Sequence, residues 1–81
     1  MKSYKITQIH QSYVTASSTD PEIINWFEAE VELIVSSYRI TERSPHVIEV
    51  EGVKNPREVS WQIMEKFCKM GWEPFAVISR G

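Results

Sequence analysis

Glutamates stand at every second position in two short segments of the chain, FEAEVELIV (residues 27–35) and VIEVE (residues 47–51). The carboxylates concerned are Glu28, Glu30, Glu32, Glu49 and Glu51. Alternate side chains of a strand point to one face of a sheet, so this spacing predicts two paired strands that present these carboxylates together. Such an acidic face is either a solvated surface that discourages edge-to-edge aggregation or a docking surface for a basic partner.

A divalent-metal site is a third interpretation of the same carboxylates. Side chains two residues apart on a flat strand diverge too far to enclose an ion without loop carbonyls. The sequence also has no calcium-binding loop of the EF-hand kind. We therefore expect no metal site.

Aromatic and sulfur-containing side chains mark residues 56–70, which have the pattern of a helix. At about 100° per residue, one compact apolar stripe should face a sheet: Val59, Ile63, Phe67 and Met70. Trp61, Met64 and Cys68 form an adjoining stripe, which a helix with one buried side does not need. Either the hairpin or the loop of residues 15–25 folds over this second stripe, or the stripe is an interface with a second copy or another protein.

Arg39 and Arg43 stand beside Tyr38 and give the tip of the predicted hairpin a positive end. Sheet faces that bind RNA interleave basic and aromatic side chains, whereas the face expected here is acidic. We therefore expect no nucleic-acid partner. Both arginines should instead pair with glutamates, within the chain or across a dimer.

The residue combinations of common catalytic sites are missing from the sequence. Its histidines, His10 and His46, form no spaced motif with Cys68, Asp20 or a glutamate. There is no G-x-S-x-G nucleophile motif, and the glycines are too scattered for a phosphate-binding loop. We therefore expect no enzyme activity, no catalytic residues and no cofactor.

The length and charge of the chain limit the remaining possibilities. Its 81 residues predict a single small domain, 1–81, with a modest core. A net charge of −2 provides no general attraction to nucleic acid or to an anionic membrane. One cysteine excludes an intrachain disulfide and a multi-cysteine zinc site. The segment MKSYKITQIH lacks the apolar stretch of a signal peptide and no apolar run could span a bilayer, so the expected location is cytoplasmic.

Strands and loops account for most of the first two thirds of the chain. β-branched and aromatic residues predict a first strand over 4–14, irregular near Gln8. The composition of residues 15–21 is that of a loop. A polar connection at 41–46 leads into a strand at 47–51, which completes a hairpin with the preceding strand.

The segment between the loop and the hairpin has two interpretations. Asp20 and Pro21 are typical of a helix start. Apolar residues at helical spacing follow: Ile24, Phe27, Val31, Ile34 and Tyr38. The alternation of apolar and acidic residues nevertheless favours a short helical turn at 20–26 and a long strand at 27–40, because glutamates at i, i+2 spacing would wrap around a helix.

The C-terminal part contains the clearest element, a helix over 56–70. Asn55, Pro56 and Glu58 have the pattern of a capping box, and Gly71 stands where the helix should stop. A final strand, FAVIS, follows. The predicted fold is α+β, a mostly antiparallel sheet in the order β-β-β-α-β with one main helix packed on one face.

The segment EVSWQIMEKFCKMGWEPFAV resembles small bacterial and phage domains of unknown function that end in a helix, Gly-Trp-Glu and a strand. The matching residues are Gly71, Trp72 and Glu73, with 75–77 as the strand, and the resemblance covers about a quarter of the chain. The long acidic hairpin departs from the compact form of those domains. They carry no assigned catalytic residues, so the resemblance implies no site.

The sequence as a whole predicts a small non-catalytic protein–protein interaction domain. It would act as a homodimer, or as an adaptor or inhibitor of a larger partner, through Trp61, Met64 and Cys68. The alternative is a module that binds a small ligand in a pocket between helix and sheet, lined by Trp61, Trp72 or Trp26.

Overall fold

Two helices and a five-stranded sheet make up the part of the chain that this computed structural model describes, residues 3–8 and 12–79. In chain order the elements are β1 (Ser3–Gln8), β2 (Tyr13–Ser17), α1 (Pro21–Ile34), β3 (Arg39–Arg43), β4 (Val47–Glu51), α2 (Pro56–Lys69) and β5 (Glu73–Ser79). The strand order across the sheet is β3-β4-β2-β1-β5. Only the pairing of β1 with β5 is parallel among these neighbours; the others are antiparallel.

One face of the sheet supplies half of the core. Alternate residues of the three central strands are buried on that face: Tyr4, Ile6, Val14, Ala16, Ile48 and Val50. The antiparallel register places Val14 opposite Val50 and Ala16 opposite Ile48, so apolar side chains adjoin across β2 and β4.

Both helices pack on this same face of the sheet. Their buried residues join those of the strands in one apolar cluster: Ile23, Ile24, Phe27 and Val31 from α1, and Val59, Ile63 and Phe67 from α2. The other face, the outer sheet face, carries polar side chains from the same strands. The predicted α+β class and the mostly antiparallel sheet are confirmed, whereas the order β-β-β-α-β with one main helix is wrong.

Helix α1 is the main departure from the sequence-based prediction, which placed a strand at 27–40. Asp20 caps the helix, since its carboxylate accepts a hydrogen bond from the backbone N–H of Glu22 at 3.0 Å, and Pro21 occupies the first turn. The helix then runs without a break to Ile34. The apolar residues at helical spacing favour the helix over a strand, because they bury one side of α1 against the sheet.

The first predicted strand, 4–14, is also wrong in part, because the chain forms two strands there. β1 and β2 pair antiparallel, with Ile6 opposite Ala16. The irregular point was expected near Gln8, where β1 ends. β2 extends to Ser17, so it takes up the first residues of the predicted loop.

Helix α2 matches the prediction closely, and its C-terminus forms a Schellman motif. The N–H of Gly71 donates to the carbonyl of Cys68, and the N–H of Trp72 donates to the carbonyl of Phe67, each at 3.0 Å. Gly71 has φ +83°, the left-handed conformation that was expected. At the other end the expected capping box is absent, because the side chain of Asn55 makes no capping hydrogen bond.

Candidate functional site on the outer face of α2

A groove of about 640 Å³ lies along one side of α2, at the edge of the core. We call it the α2 groove. It is lined by Tyr4, Glu58, Trp61, Gln62, Met64, Glu65, Cys68, Lys69 and Pro74. Tyr4 belongs to β1 and Pro74 to β5, so the groove lies where the helix meets the parallel pair of strands.

The second apolar stripe of α2 lies in this groove and is uncovered. Trp61 is 62% exposed and Cys68 is exposed, while Met64 is half-buried against the core. On the opposite side the expected core stripe is buried, except that Met70 is 38% exposed. The expectation that residues 15–25 fold over Trp61 is wrong, because those residues form the end of β2 and the start of α1.

Tyr4 lines the groove and carries a polar atom without a partner. The residue is 1% exposed, and its ring packs edge-to-face on Phe67 with 5.0 Å between centroids. Its hydroxyl is buried and has no hydrogen-bond partner among the residues that the structure describes. Burial, and secondarily the nearby Cys68 thiol, raises the pKa of Tyr4 to about 12. The phenol therefore stays protonated near neutral pH and can both donate and accept.

Sequence reasoning did not single out Tyr4. A pattern of alternating apolar residues marks Tyr4 and Ile6 as inward-facing, which indicates a core position. Only the packing shows that the hydroxyl of Tyr4 finds no acceptor and that the ring borders a groove.

Charged residues border the apolar stripe in a definite order. Glu58 and Lys69 lie at opposite ends of α2, eleven residues apart. Because about 3.6 residues make one turn, that spacing is close to three full turns, and the two side chains lie on the same side of the helix. Glu65 stands between them on that side. The row has an acidic N-terminal end and a basic C-terminal end.

Of the three tryptophans, only Trp61 lines the α2 groove. Trp72 is buried and packs on Phe67 at 4.9 Å between ring centroids. Trp26 lies edge-on to Trp72 at 6.5 Å. Of the tryptophans expected to line a pocket between helix and sheet, Trp61 lines the α2 groove, and Trp72 and Trp26 do not.

The glutamates of β4 lie on the outer sheet face, where their carboxylates accept hydrogen bonds from neighbouring side chains. Glu51 accepts hydrogen bonds from Tyr13 and, at 2.6 Å, from Arg39. Glu49 accepts from Thr15 at 3.2 Å and from Thr41 at 2.7 Å. The hydrogen bond from Tyr13, followed by the charge of Arg39, lowers the pKa of Glu51.

The remaining glutamates lie on α1, so the expected acidic sheet face is wrong. Glu30 is 6% exposed and pairs with Lys66 of α2 at 2.6 Å. Glu28 pairs with Arg43 at 3.0 Å, and Glu32 is exposed. Helix α1 lies on the core side of the sheet, whereas Glu49 and Glu51 belong to the outer sheet face. The five carboxylates expected together are thus separated by the sheet itself.

The two arginines pair within the chain, as one of the sequence-based expectations stated. Arg39 pairs with Glu51, and Arg43 pairs with Glu28 and also donates to Asn25 at 2.6 Å. They do not form a common positive tip. Arg43 adjoins the turn between β3 and β4, whereas Arg39 begins β3 at the far end of the hairpin.

The histidines and the acidic residues offer no evident chemistry. His46 is exposed, and its Nδ1 lies 3.1 Å from the carbonyl oxygen of Ser18; His10 lies outside the described residues. Within residues 3–8 and 12–79, no group of three or more histidine, cysteine or acidic side chains is arranged to hold a metal ion. Neither helix in that part of the chain has the length and apolar character needed to cross a membrane.

Comparison with known proteins adds no relative. No family model matches the chain, and neither the curated proteins nor the solved structures contain a match.

Proposed function

We propose that this protein is a non-catalytic protein–protein interaction domain that works as a homodimer, with the outer face of α2 as the contact surface. The observation that carries the proposal is the exposure of Trp61 beside Met64 and Cys68. Burying one large apolar side chain is worth about 1.5–3 kcal/mol. A stripe of this kind on a small domain is typical of a surface that another chain covers.

The described part of the chain has no segment left to cover the stripe. Ala16 is in the core, and the residues that follow Asp20 are in α1. Another chain is the cover that we propose.

The charged row of α2 favours a second copy as that chain. If two copies pack their α2 helices antiparallel about a two-fold axis between Met64 and Glu65, rows on the same side of each helix meet. Glu58 then lies within about 3 Å, measured along the helix axis, of the level of Lys69 of the partner subunit. Opposite charges face each other twice in this arrangement and the two Glu65 side chains meet once near the axis, so the balance of charges supports self-association in this direction.

The contact is a small one, and this limits its strength. Helix α2 has 14 residues and is therefore about 21 Å long. Two such helices bury less than the ~1,600 Å² of a standard protein–protein interface. We expect a dissociation constant on the order of 10 μM, with a dimer that forms at high micromolar concentration.

Sedimentation equilibrium of Trp61→Glu tests the proposal. The wild-type chain should show a monomer–dimer equilibrium, and Trp61→Glu should be monomeric while its circular dichroism spectrum stays unchanged. Leu33→Glu is the matched control, because Leu33 is an exposed apolar residue on the other helix. Equal weakening by both substitutions, or a wild-type chain that stays monomeric at high micromolar concentration, would refute the α2 contact.

A small-ligand-binding module is the second candidate, and the groove between α2 and the β1–β5 pair favours it. A volume of about 640 Å³ is within the range of small-molecule sites. A thermal-shift screen of metabolites and metal ions on the wild-type chain, at a concentration at which sedimentation shows a monomer, separates the two candidates. Ligand stabilisation of a chain that does not self-associate would favour the second.

A further inference from the structure

The two edges of the sheet differ in how they are protected against pairing with another chain. β3 forms one edge: its sequence RITER contains three charged residues, and its pairing with β4 shifts register between Ile40 and Glu42. Charges and bulges of this kind prevent edge-to-edge association of sheets. β5 forms the other edge, and its one charged residue is Glu73 at its start.

The edge of β5 is regular from Ala76 onwards. Before that point, Pro74 supplies no backbone N–H, and one extra residue of β5 shifts the register between Tyr4 and Lys5 of β1. Residues 76–79 then pair with successive residues of β1. Successive residues of a strand direct their backbone groups to opposite sides, so half of these groups point away from β1. In the part of the chain that the structure describes, no strand pairs with them.

The α2 groove lies beside this open edge. Helix α1 packs over β2 and β4, whereas α2 packs over β1, β2 and β5 and is the helix nearer to the β5 edge. Trp61, Met64 and Cys68 line the groove together with Pro74 of β5, whereas Lys66 pairs with α1 on another side of α2. A second copy that covers the groove therefore also comes alongside β5.

A two-fold axis perpendicular to the sheet allows both contacts at once. Such an axis makes the two α2 helices antiparallel, which is the direction that the charged row of α2 favours. It makes the two β5 strands antiparallel as well. Two open edge strands that meet antiparallel exchange backbone hydrogen bonds without any change of fold.

The positions of the two contacts along the strands also agree. Tyr4 pairs with Pro74 in the sheet and packs on Phe67, so these residues lie at one level of the fold. The midpoint of the proposed α2 contact is about 4 Å from Phe67 towards the start of the helix, which corresponds to about one residue along a strand. The next residue of β1, Lys5, pairs with Ala76. One axis therefore passes through the centre of the α2 contact and crosses β5 near Ala76.

We propose that the homodimer also pairs the two β5 strands antiparallel about this axis, so that the sheets of the two copies form one continuous sheet. The inference rests on the proposed homodimer and specifies a second contact within it. The α2 helices would lie two to three strand spacings apart, about 10–14 Å, and the Trp61 side chains would fill the space between them. Strand pairing adds backbone hydrogen bonds and area to the small α2 contact.

A second copy is the occupant that fits both features. A strand from an unrelated protein would pair with β5 and leave the 62% exposed Trp61 without a cover. A second copy covers Trp61 and pairs with β5 in one arrangement, and each copy contributes the same two surfaces, as a two-fold contact requires.

Amide hydrogen exchange of the wild-type chain by NMR, below and above the dissociation constant from sedimentation equilibrium, tests the strand pairing. In the monomer, alternate amides of residues 75–79 should exchange rapidly, because they point to the open edge. At about a hundred times the dissociation constant, the same amides should exchange roughly tenfold more slowly, because exchange then proceeds through the small monomer population. The amides of β3 are the internal control and should not respond to concentration.

A mixture of ¹³C-labelled and unlabelled copies gives a second readout. Facing residues of antiparallel strands bring their α-protons close together. An isotope-filtered NOE experiment should therefore show contacts between α-protons of the two copies around Ala76. A dimer that uses α2 alone should show contacts of Trp61 between the copies and none between the β5 strands.

The outcomes separate this inference from the proposed function. A wild-type chain that never dimerises refutes both. A dimer that Trp61→Glu disrupts, but whose alternate β5 amides exchange as fast as in the monomer, keeps the proposed function and overturns the strand pairing. Slow exchange of every β5 amide already in the monomer would show that the chain itself covers this edge, and would also overturn it.

Discussion

Individual carboxylates in this protein have different roles, and Glu51 is the clearest example. It accepts hydrogen bonds from Tyr13 and Arg39 on the outer sheet face. The same hydrogen bond that lowers the pKa of Glu51 raises the pKa of Tyr13, because each group is stabilised in the form that makes the contact. This carboxylate therefore holds β2, β3 and β4 together and is not offered to a basic partner.

The lowered pKa of Glu51 makes its contribution to stability dependent on pH. The ionised form is favoured in the folded chain, so the contribution is complete above the ordinary value of 4.5 and is lost as the pH falls through the lowered folded-state pKa. A carbon-detected NMR titration should give Glu51 a pKa below 4.5 in the wild-type chain and a higher one in Tyr13→Phe. Thr15→Val, which affects Glu49, should leave it unchanged. A Glu51 that titrates equally in all three would contradict this role.

The residues that could be predicted from the sequence act through their nearest neighbours along the chain. Gly71 ends α2 because the left-handed conformation is a local requirement of the Schellman motif. Tyr4 could not be predicted, because its unpartnered hydroxyl depends on how β1, β5 and α2 meet. The proposed contact residues Trp61, Met64 and Cys68 share one side of α2, which the helical period does predict.

At the scale of elements, α1 shows where a local pattern gives the wrong answer. Glutamates at i, i+2 spacing were expected to oppose a helix, since one of them must point towards the interior. Glu30 does so and is buried, but Lys66, 36 residues further along the chain, neutralises it at 2.6 Å. The pairing joins α1 to α2, so the feature that argued against a helix is a contact between the two helices.

Replacing Lys66 tests this contact between helices. Lys66→Met leaves the Glu30 carboxylate nearly buried without its cation and should lower the free energy of unfolding by about 1–3 kcal/mol. Lys54→Met removes the same charge from an exposed position in the loop before α2 and should have a small effect. Chemical denaturation measures both. The double variant Glu30→Leu/Lys66→Met should recover most of the loss, and failure of Lys66→Met to destabilise the chain would show that the pair is immaterial.

At the scale of the whole molecule, the surface has two parts, the outer sheet face and the helical layer. The outer sheet face is held by hydrogen bonds and ion pairs among its own side chains. The helical layer instead leaves an apolar stripe and a groove on α2. Because the polar side chains of the outer sheet face pair with one another and the apolar stripe of α2 is exposed, the proposed contact lies on α2 and not on an acidic face.

The charged row of α2 makes the direction of the proposed dimer testable as well as its existence. In the antiparallel arrangement, Glu58→Lys places like charges opposite each other at both ends of the contact, and Lys69→Glu does the same with the opposite sign. Each exposed pair is worth up to about 1 kcal/mol, so either substitution should weaken the homodimer roughly tenfold at low ionic strength. A mixture of the two variants restores opposite charges at both ends.

Sedimentation velocity of the wild-type chain, of Glu58→Lys, of Lys69→Glu and of an equimolar mixture of the two variants is the most direct test of the homodimer. We expect a wild-type dimer, weakened association of each variant alone, and recovery of dimer in the mixture. A wild-type chain that sediments as a monomer up to high micromolar concentration, or a mixture that associates no better than its components, would contradict the antiparallel α2 dimer.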